Sequence, residues 1–269
     1  MIGIYVNGSK TAATEIADEL IGALSSRGVE TAKLGRDFTE DPDVIVVIGG
    51  DGTVLDVAEK AARSGKPILA VNAGVVGFLS CFEKDELDRC ADLLQKGAFV
   101  TEERPLISFS RFGKDYYALN EISVQRVNAA EGSGCTLSLS LYIDGVFAEG
   151  FRADGIIIST PTGSTAYSLS AGGAVLAPDL NALIATPVCA HTLSSKPIVF
   201  SDSSVAEVSL SGEVSGGVFC DGKFCSNLSQ GEKIAVKISD LRVKFIKGNR
   251  SFYDTLFKKL TFWGVDKGK

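Results

Sequence analysis

The chain has one histidine, one methionine and one tryptophan in 269 residues. With a single histidine, and no Cys-x-x-Cys pair among Cys81, Cys90, Cys135, Cys189, Cys220 and Cys225, the sequence argues against a zinc site and reads as scattered thiols of a cytoplasmic protein. No apolar run is long enough to span a bilayer, and no basic leader precedes an apolar segment. There is no Gly-x-x-x-x-Gly-Lys-[Ser/Thr] loop and no complete Gly-x-Gly-x-x-Gly, so neither of those phosphate-binding devices is in use. Positive charge is also in deficit. The net charge of -6 argues against a broad nucleic-acid or anionic-membrane surface, although local donors can still hold a phosphorylated ligand. Repeats and low-complexity segments are missing as well.

What is present is the profile of a soluble globular protein, 45% hydrophobic and 22% charged, long enough for one large domain or two ordinary ones. The chain is organised around Val44–Ile48, an apolar run that reads as a buried strand and stops at Gly49-Gly50-Asp51-Gly52-Thr53. Val54 to Ser64 then shows helical spacing at Val54, Val57, Ala58 and Ala61. Glycines at a strand-to-helix turn let backbone N–H groups approach an anion, and the helix N-terminus adds partial positive charge. Asp51 would repel phosphate, so its role there is with a proton or a metal ion. The same residues also read as a plain tight turn, with glycines at positive φ.

Around that stretch the first third alternates strand and helix. Gly3 to Val6, Val29 to Leu34 and Ile68 to Val71 read as strands. Ala12 to Ser26, closed by Gly28, and Glu83 to Lys96 read as helices. Such alternation predicts a parallel sheet with helices on both faces and a ligand beyond the carboxyl ends of its strands, where Gly49–Thr53 and Asn72–Gly77 fall. Beyond Gly97 the period becomes two: Leu137, Leu139, Leu141 and Ile143; Ala206, Val208 and Leu210; Ile234, Val236 and Ile238. This predicts an antiparallel sandwich. Helical spacing returns at Phe252, Leu256 and Leu260. The expected organisation is an α/β domain over 1–98 joined by a C-terminal helix in 250–269, and a β-sandwich over 99–249.

Two further stretches carry chemistry. Asp154-Gly155 opens a buried strand followed by Ser159-Thr160-Pro161-Thr162-Gly163-Ser164-Thr165-Ala166-Tyr167-Ser168-Leu169-Ser170, a turn dense in hydroxyls with one aromatic face and little bulk, suited to a sugar–base–phosphate ligand. An ordinary polar loop is the competing reading. Asn120-Glu121 lies inside an otherwise apolar strand. A buried amide or carboxylate there needs partners, which a purine edge supplies, and an edge strand facing solvent is the alternative. Arg152 has the fork geometry for a donor phosphate, or pairs at the surface with Glu149. His191 reads as structural, and Lys258-Lys259 with Lys267–Lys269 as a solvated helix end.

Taken in order, Gly49-Gly50-Asp51-Gly52-Thr53, Asn72-Ala73-Gly74-Val75-Val76-Gly77-Phe78-Leu79, Asn120-Glu121, Asp154 through Tyr167 to Gly173, and Asp221-Gly222-Lys223 resemble the motifs of the NAD kinase family. The first is shared with lipid and phosphofructo-kinases; the Thr-Pro-Thr-Gly-Ser-Thr-Ala-Tyr run is specific. The resemblance implies transfer of a phosphoryl group from ATP or inorganic polyphosphate to the 2′-hydroxyl of the adenosine ribose of NAD, with Mg²⁺. It implies Asp51 as base and Gly49, Gly50, Gly52 and Thr53 at the phosphates, with Asn72, Gly74 and Phe78 in the same motifs. Asn120, Glu121, Asp154, Thr162, Thr165, Ala166, Tyr167 and Ser170 would form the dinucleotide pocket, partly across a subunit interface of a homodimer or homotetramer. In the family, arginine at the position of Arg152 goes with ATP. The chain departs from the family pattern at Ala190-His191-Thr192-Leu193, at Lys223 and at Val6-Asn7-Gly8-Ser9-Lys10. A lipid kinase and a non-catalytic dinucleotide sensor remain the alternatives; the latter leaves Asp51 without a use.

Overall fold

A computed structural model describes residues 1–7, 11–74, 77–127, 136–192, 194–248 and 250–264. Gly8, Ser9, Lys10, Val75, Val76, Cys135, Leu193 and Lys267–Lys269, named above, lie outside them. The elements in chain order are β1 (Ile2–Val6), α1 (Thr11–Ser26), β2 (Thr31–Leu34), β3 (Val44–Gly49), α2 (Asp51–Ser64), β4 (Ile68–Asn72), β5 (Phe82–Glu83) and α3 (Leu87–Lys96). Then follow β6 (Thr101–Arg111), β7 (Lys114–Ala118), β8 (Glu121–Arg126), β9 (Leu137–Ile143), β10 (Val146–Ala153), β11 (Gly155–Ser159) and α4 (Tyr167–Ser170). The chain ends with β12 (Ala182–Val188), β13 (Ile198–Ser201), β14 (Ala206–Leu210), β15 (Gly216–Cys220), β16 (Lys223–Leu228), β17 (Lys233–Ile246) and α5 (Phe252–Gly264). Two compact units result: Met1–Arg104 with the chain from Leu241 onward, and Pro105–Asp240.

The first unit is α/β. Its strands run β2-β1-β3-β4 with parallel pairing, Ile2 opposite Val44 and Ile45 opposite Ile68, and Phe245 at the end of β17 continues beside Ile68. All six residues of β3 are buried, the signature of a strand covered on both faces. Ala13, Ile16, Ala17, Leu20 and Leu24 of α1 pack with Ile4, Val46 and Ile48 in one core. Two expectations shift. The helix after β3 starts at Asp51, not Val54, because Gly50 alone links strand to helix in an extended conformation (φ -99, ψ -177). The helix expected from Glu83 starts at Leu87. Phe82–Glu83 pairs with Val71–Asn72 as a strand, and Glu83 and Glu86 exchange capping bonds around a single 3₁₀ turn.

The second unit is antiparallel. One sheet runs β13-β12-β11-β8-β15-β16, and β10-β9-β14-β17 forms another run. Leu137, Leu139 and Leu141 of β9 share one core with Ile122 and Val124 of β8 and Ile156 and Ile158 of β11, which makes the unit a sandwich. β8 lies between β11 and β15. No helix among the described residues is long and apolar enough to cross a membrane.

Candidate active site

Asp51 is the first residue of α2, where the helix macrodipole favours a carboxylate. Its Oδ2 accepts the Phe78 N–H at 2.9 Å, its Oδ1 accepts the Leu79 N–H at 3.1 Å, and Lys259 Nζ stands 3.5 Å from Oδ2. A Cβ at Gly77 would overlap Asp51 Oδ1, so glycine is what lets the 77–79 segment close on the carboxylate. None of Gly49, Gly50, Gly52 and Gly74 is among the glycines at positive φ. The tight-turn reading that needed such glycines therefore fails. Gly49 is required for packing instead, since a Cβ there would collide with the Thr53 side chain, which is buried against it. Gly50, Gly52 and Gly74 have open space on the Cβ side.

Asn72 ends β4 with its amide fully engaged. Nδ2 donates to Glu83 Oε2 (2.8 Å) and the Gly74 carbonyl (3.1 Å), and Oδ1 accepts the Gly74 N–H (3.1 Å). Asn72 thus shapes the loop that the Ala73 N–H ties to the Gly49 carbonyl at 3.2 Å. Phe78 contributes its N–H to Asp51 and its ring to Lys259, whose Nζ lies 4.2 Å from the centroid.

The C-terminal helix corrects the sequence reading. Lys259 is 14% exposed and belongs to the site, not to a solvated helix end. The packed face of α5 carries Phe252, Thr255 and Lys259, at i, i+3 and i+7, while Leu260 is 49% exposed. Apolar spacing found Phe252 and the half-buried Leu256 but could not find Lys259, because a lysine carries no apolar signal.

In the second unit, Asp221 organises the polar centre. Asp221 and Gly222 both have positive φ (47° and 75°), forming the turn between β15 and β16. The Asp221 carboxylate accepts the N–H groups of Leu119 (2.9 Å), Asn120 (2.8 Å) and Glu121 (3.1 Å). Burial raises its proton affinity in spite of these three bonds. Asn120 and Glu121 are both buried, against the edge-strand alternative. Burial, and then the charge of Asp221, push the Glu121 carboxyl up to about 8. The Tyr167 N–H bonds this carboxyl, yet Oε2 is buried with no partner, and so is Thr162 Oγ1. Buried polar atoms left unpaired are costly, so Glu121 Oε2 and Thr162 Oγ1 each stand in want of a partner.

Gly163 packs directly on the Asn120 backbone. A Cβ there would overlap the Asn120 carbonyl group and stand 2.6 Å from Asn120 Cα. Most hydroxyls of this stretch bond internally: Thr160 to the Leu119 carbonyl (2.6 Å), Ser164 to Pro161 (2.7 Å), Thr165 to Thr162 (3.2 Å), Ser168 to Thr186 (2.9 Å). Ala166 and Tyr167 are half-buried and Ser170 is exposed. Burial raises the Tyr167 phenol, with the charges of Asp154 and Glu121 adding. Asp154 lies 3.8 Å from Arg126 Nη2. Arg152 is exposed and donates from Nε to Thr136 Oγ1 (3.2 Å), not to Glu149, and the His191 N–H bonds the Arg152 carbonyl (2.8 Å).

One chain thus carries a glycine-flanked carboxylate at a helix start and a set of buried, partly unsatisfied polar side chains in a β-rich unit, equipment that suits a phosphotransferase acting on a nucleotide. Residues 5–99 match the ATP-NAD kinase N-terminal domain, and residues 119–248 the ATP-NAD kinase C-terminal domain. An NAD kinase of Caldicellulosiruptor bescii is 36% identical over 96% of this chain and 98% of its own, and one of Methanothermobacter thermautotrophicus is 32% identical over 100% and 99%. The crystal structure of an NAD kinase from Archaeoglobus fulgidus in complex with ATP superimposes with a TM-score of 0.80 at 28% identity, covering 97% of this chain and 99% of that one. The chain belongs to the NAD kinase family, the phosphotransferases that convert NAD to NADP.

Proposed function

We propose that Asp51 is the base of this NAD kinase and that ATP is its donor. The adenosine 2′-hydroxyl oxygen attacks the terminal phosphorus, its proton passes to Asp51, and the bond to the leaving ADP oxygen breaks, giving NADP. A ribose hydroxyl is a poor nucleophile at neutral pH, and a placed carboxylate supplies on the order of 10²–10⁴-fold. Since the transition state is loose, positioning and charge neutralisation do most of the remaining work. The open backbone at Gly50 and Gly52 and the amino end of α2 suit the donor's phosphates. Glu121, Thr162, Asn120 and Tyr167 would hold the adenosine, with Asp154, Thr165, Ala166 and Ser170 around it.

The observation that carries the reading is the double N–H clamp on Asp51, which engages both oxygens of a carboxylate at the start of a helix. Mg²⁺ would neutralise the donor's phosphates. Arg152 is the proposed contact for donor charge. The reading also includes a homodimer or homotetramer and a cytoplasmic location. An NADP-formation assay with ATP–Mg²⁺ and with polyphosphate tests it. Turnover with ATP is expected. A strict polyphosphate preference would overturn the donor assignment, and tight NADP binding without turnover on either donor would favour a sensor.

A further inference from the structure

Lys259 is unaccounted for by any motif in the chain, yet it lies against the proposed base. Its ammonium is 3.5 Å from Asp51 Oδ2 and 4.2 Å from the centre of the Phe78 ring, and the Phe78 N–H bonds the same carboxylate oxygen. One cation therefore touches the carboxylate and the residue that clamps it. A charged side chain only 14% exposed has given up most of its hydration and needs a return for it. The helix could have turned Leu260 inward; instead Leu260 is half exposed and Lys259 is covered. A cation beside the amino end of α2 also opposes that helix's dipole, and Asp51 is what offsets it.

The rotation of α5 that produces this contact is fixed at its start. Arg250 donates to Glu83 Oε1 (2.5 Å) and Glu86 Oε2 (3.1 Å). Glu83 in turn accepts from Asn72 at the end of β4. Ser251 caps the helix: its hydroxyl and N–H donate to Asp254 Oδ2 (2.8 and 3.3 Å), and its Oγ accepts the Asp254 N–H (3.1 Å). Phe252 then meets Phe78 with ring centroids 5.9 Å apart. From this start two helical turns carry Lys259 back to Asp51.

We infer that Lys259 is a positioning residue of the active centre, holding the Asp51 carboxylate in the orientation in which it takes the hydroxyl proton. The inference rests on the reading of Asp51 as base. With Lys259 absent, the Phe78 and Leu79 N–H bonds remain but the cation at Oδ2 is lost, and the carboxylate is held by two contacts in place of three. A displaced catalytic group costs rate far more than it costs binding.

The test is a double-mutant cycle in the full chain with Lys259→Met, Asp51→Asn and their combination, with Lys259→Arg as the conservative variant. Lys259→Met is expected to lower kcat on the order of 10–100-fold with KM for NAD and ATP within about twofold. Lys259→Arg is expected to recover most of the loss. On the Asp51→Asn background, Lys259→Met should do almost nothing, since there is no carboxylate left to orient. Thermal unfolding of each variant keeps fold loss in view. A Lys259→Met enzyme with wild-type kcat beside an inactive Asp51→Asn enzyme overturns this inference and leaves the base standing. Additive losses on the two backgrounds, or a raised KM for ATP at unchanged kcat, also overturn it. Normal turnover by Asp51→Asn removes the underlying reading instead.

Discussion

Replacing Glu121 with glutamine removes a buried ionisable group while keeping its shape and one acceptor oxygen. In the folded protein the carboxyl is pushed from its usual 4.5 up to about 8, first by burial and then by Asp221. Between these two values the folded chain holds a proton that the unfolded chain has released. The stability contributed by this group is therefore fully present below about pH 4.5 and is lost as the pH rises through about 8. Integrated from pH 5 to pH 8, the loss is roughly 3 kcal/mol. For a protein of this size that is roughly 6–12 °C in Tm. Glutamine does not titrate, so Glu121→Gln lacks this loss, and groups that do not feel the Glu121 charge cancel between the two proteins. The assay is thermal unfolding of both at intervals from pH 5 to pH 8 without nucleotide. The wild type should fall progressively below the variant as the pH rises. Parallel curves would mean that Glu121 is already ionised at pH 5, and the raised proton affinity of this buried carboxyl would be refuted.

Gly163→Ala should destabilise the second unit by about 1–3 kcal/mol, because its Cβ cannot enter without moving the Asn120 backbone. The same change should raise KM for NAD several-fold more than KM for ATP; equal effects on both would contradict the placement of the dinucleotide at Asn120 and Glu121. Gly77→Ala should spare NAD affinity, measured by calorimetry, and lower kcat on the order of 10²-fold, since its Cβ displaces Asp51 Oδ1. Unchanged kcat in that variant would show that the clamp on Asp51 is not needed for turnover.

How much of this was legible in the sequence depends on the range of the interaction. The run Val44–Ile48 ending in glycines predicts a buried strand, a turn and a helix, because burial and helix initiation are local. The period-two leucines of β9 likewise give away a sandwich face. The hydroxyls from Thr160 to Ser168 looked like ligand groups, yet Thr160, Ser164, Thr165 and Ser168 are used to fold the loop on itself and on neighbouring strands. Their partners reach 41 residues away, so composition alone cannot separate them from Thr162, whose hydroxyl is unpaired. Asp221 supports backbone about 100 residues upstream in the same way. Lys259 was missed because amphipathic reasoning assigns charge to the solvent face, and here an ion pair with Asp51 reverses that assignment. Glu83 adjoins the helical pattern in sequence, but it pairs with Asn72 as strand and caps a 3₁₀ turn with Glu86, contacts that the local pattern does not carry.

The central claim is that the Asp51 carboxylate receives the hydroxyl proton. It is met most directly by single-turnover NADP formation with Asp51→Asn, with NAD affinity measured alongside. We expect NAD binding close to wild type and a rate lowered on the order of 10²–10⁴-fold. A variant that binds NAD and phosphorylates it at the wild-type rate would contradict the account.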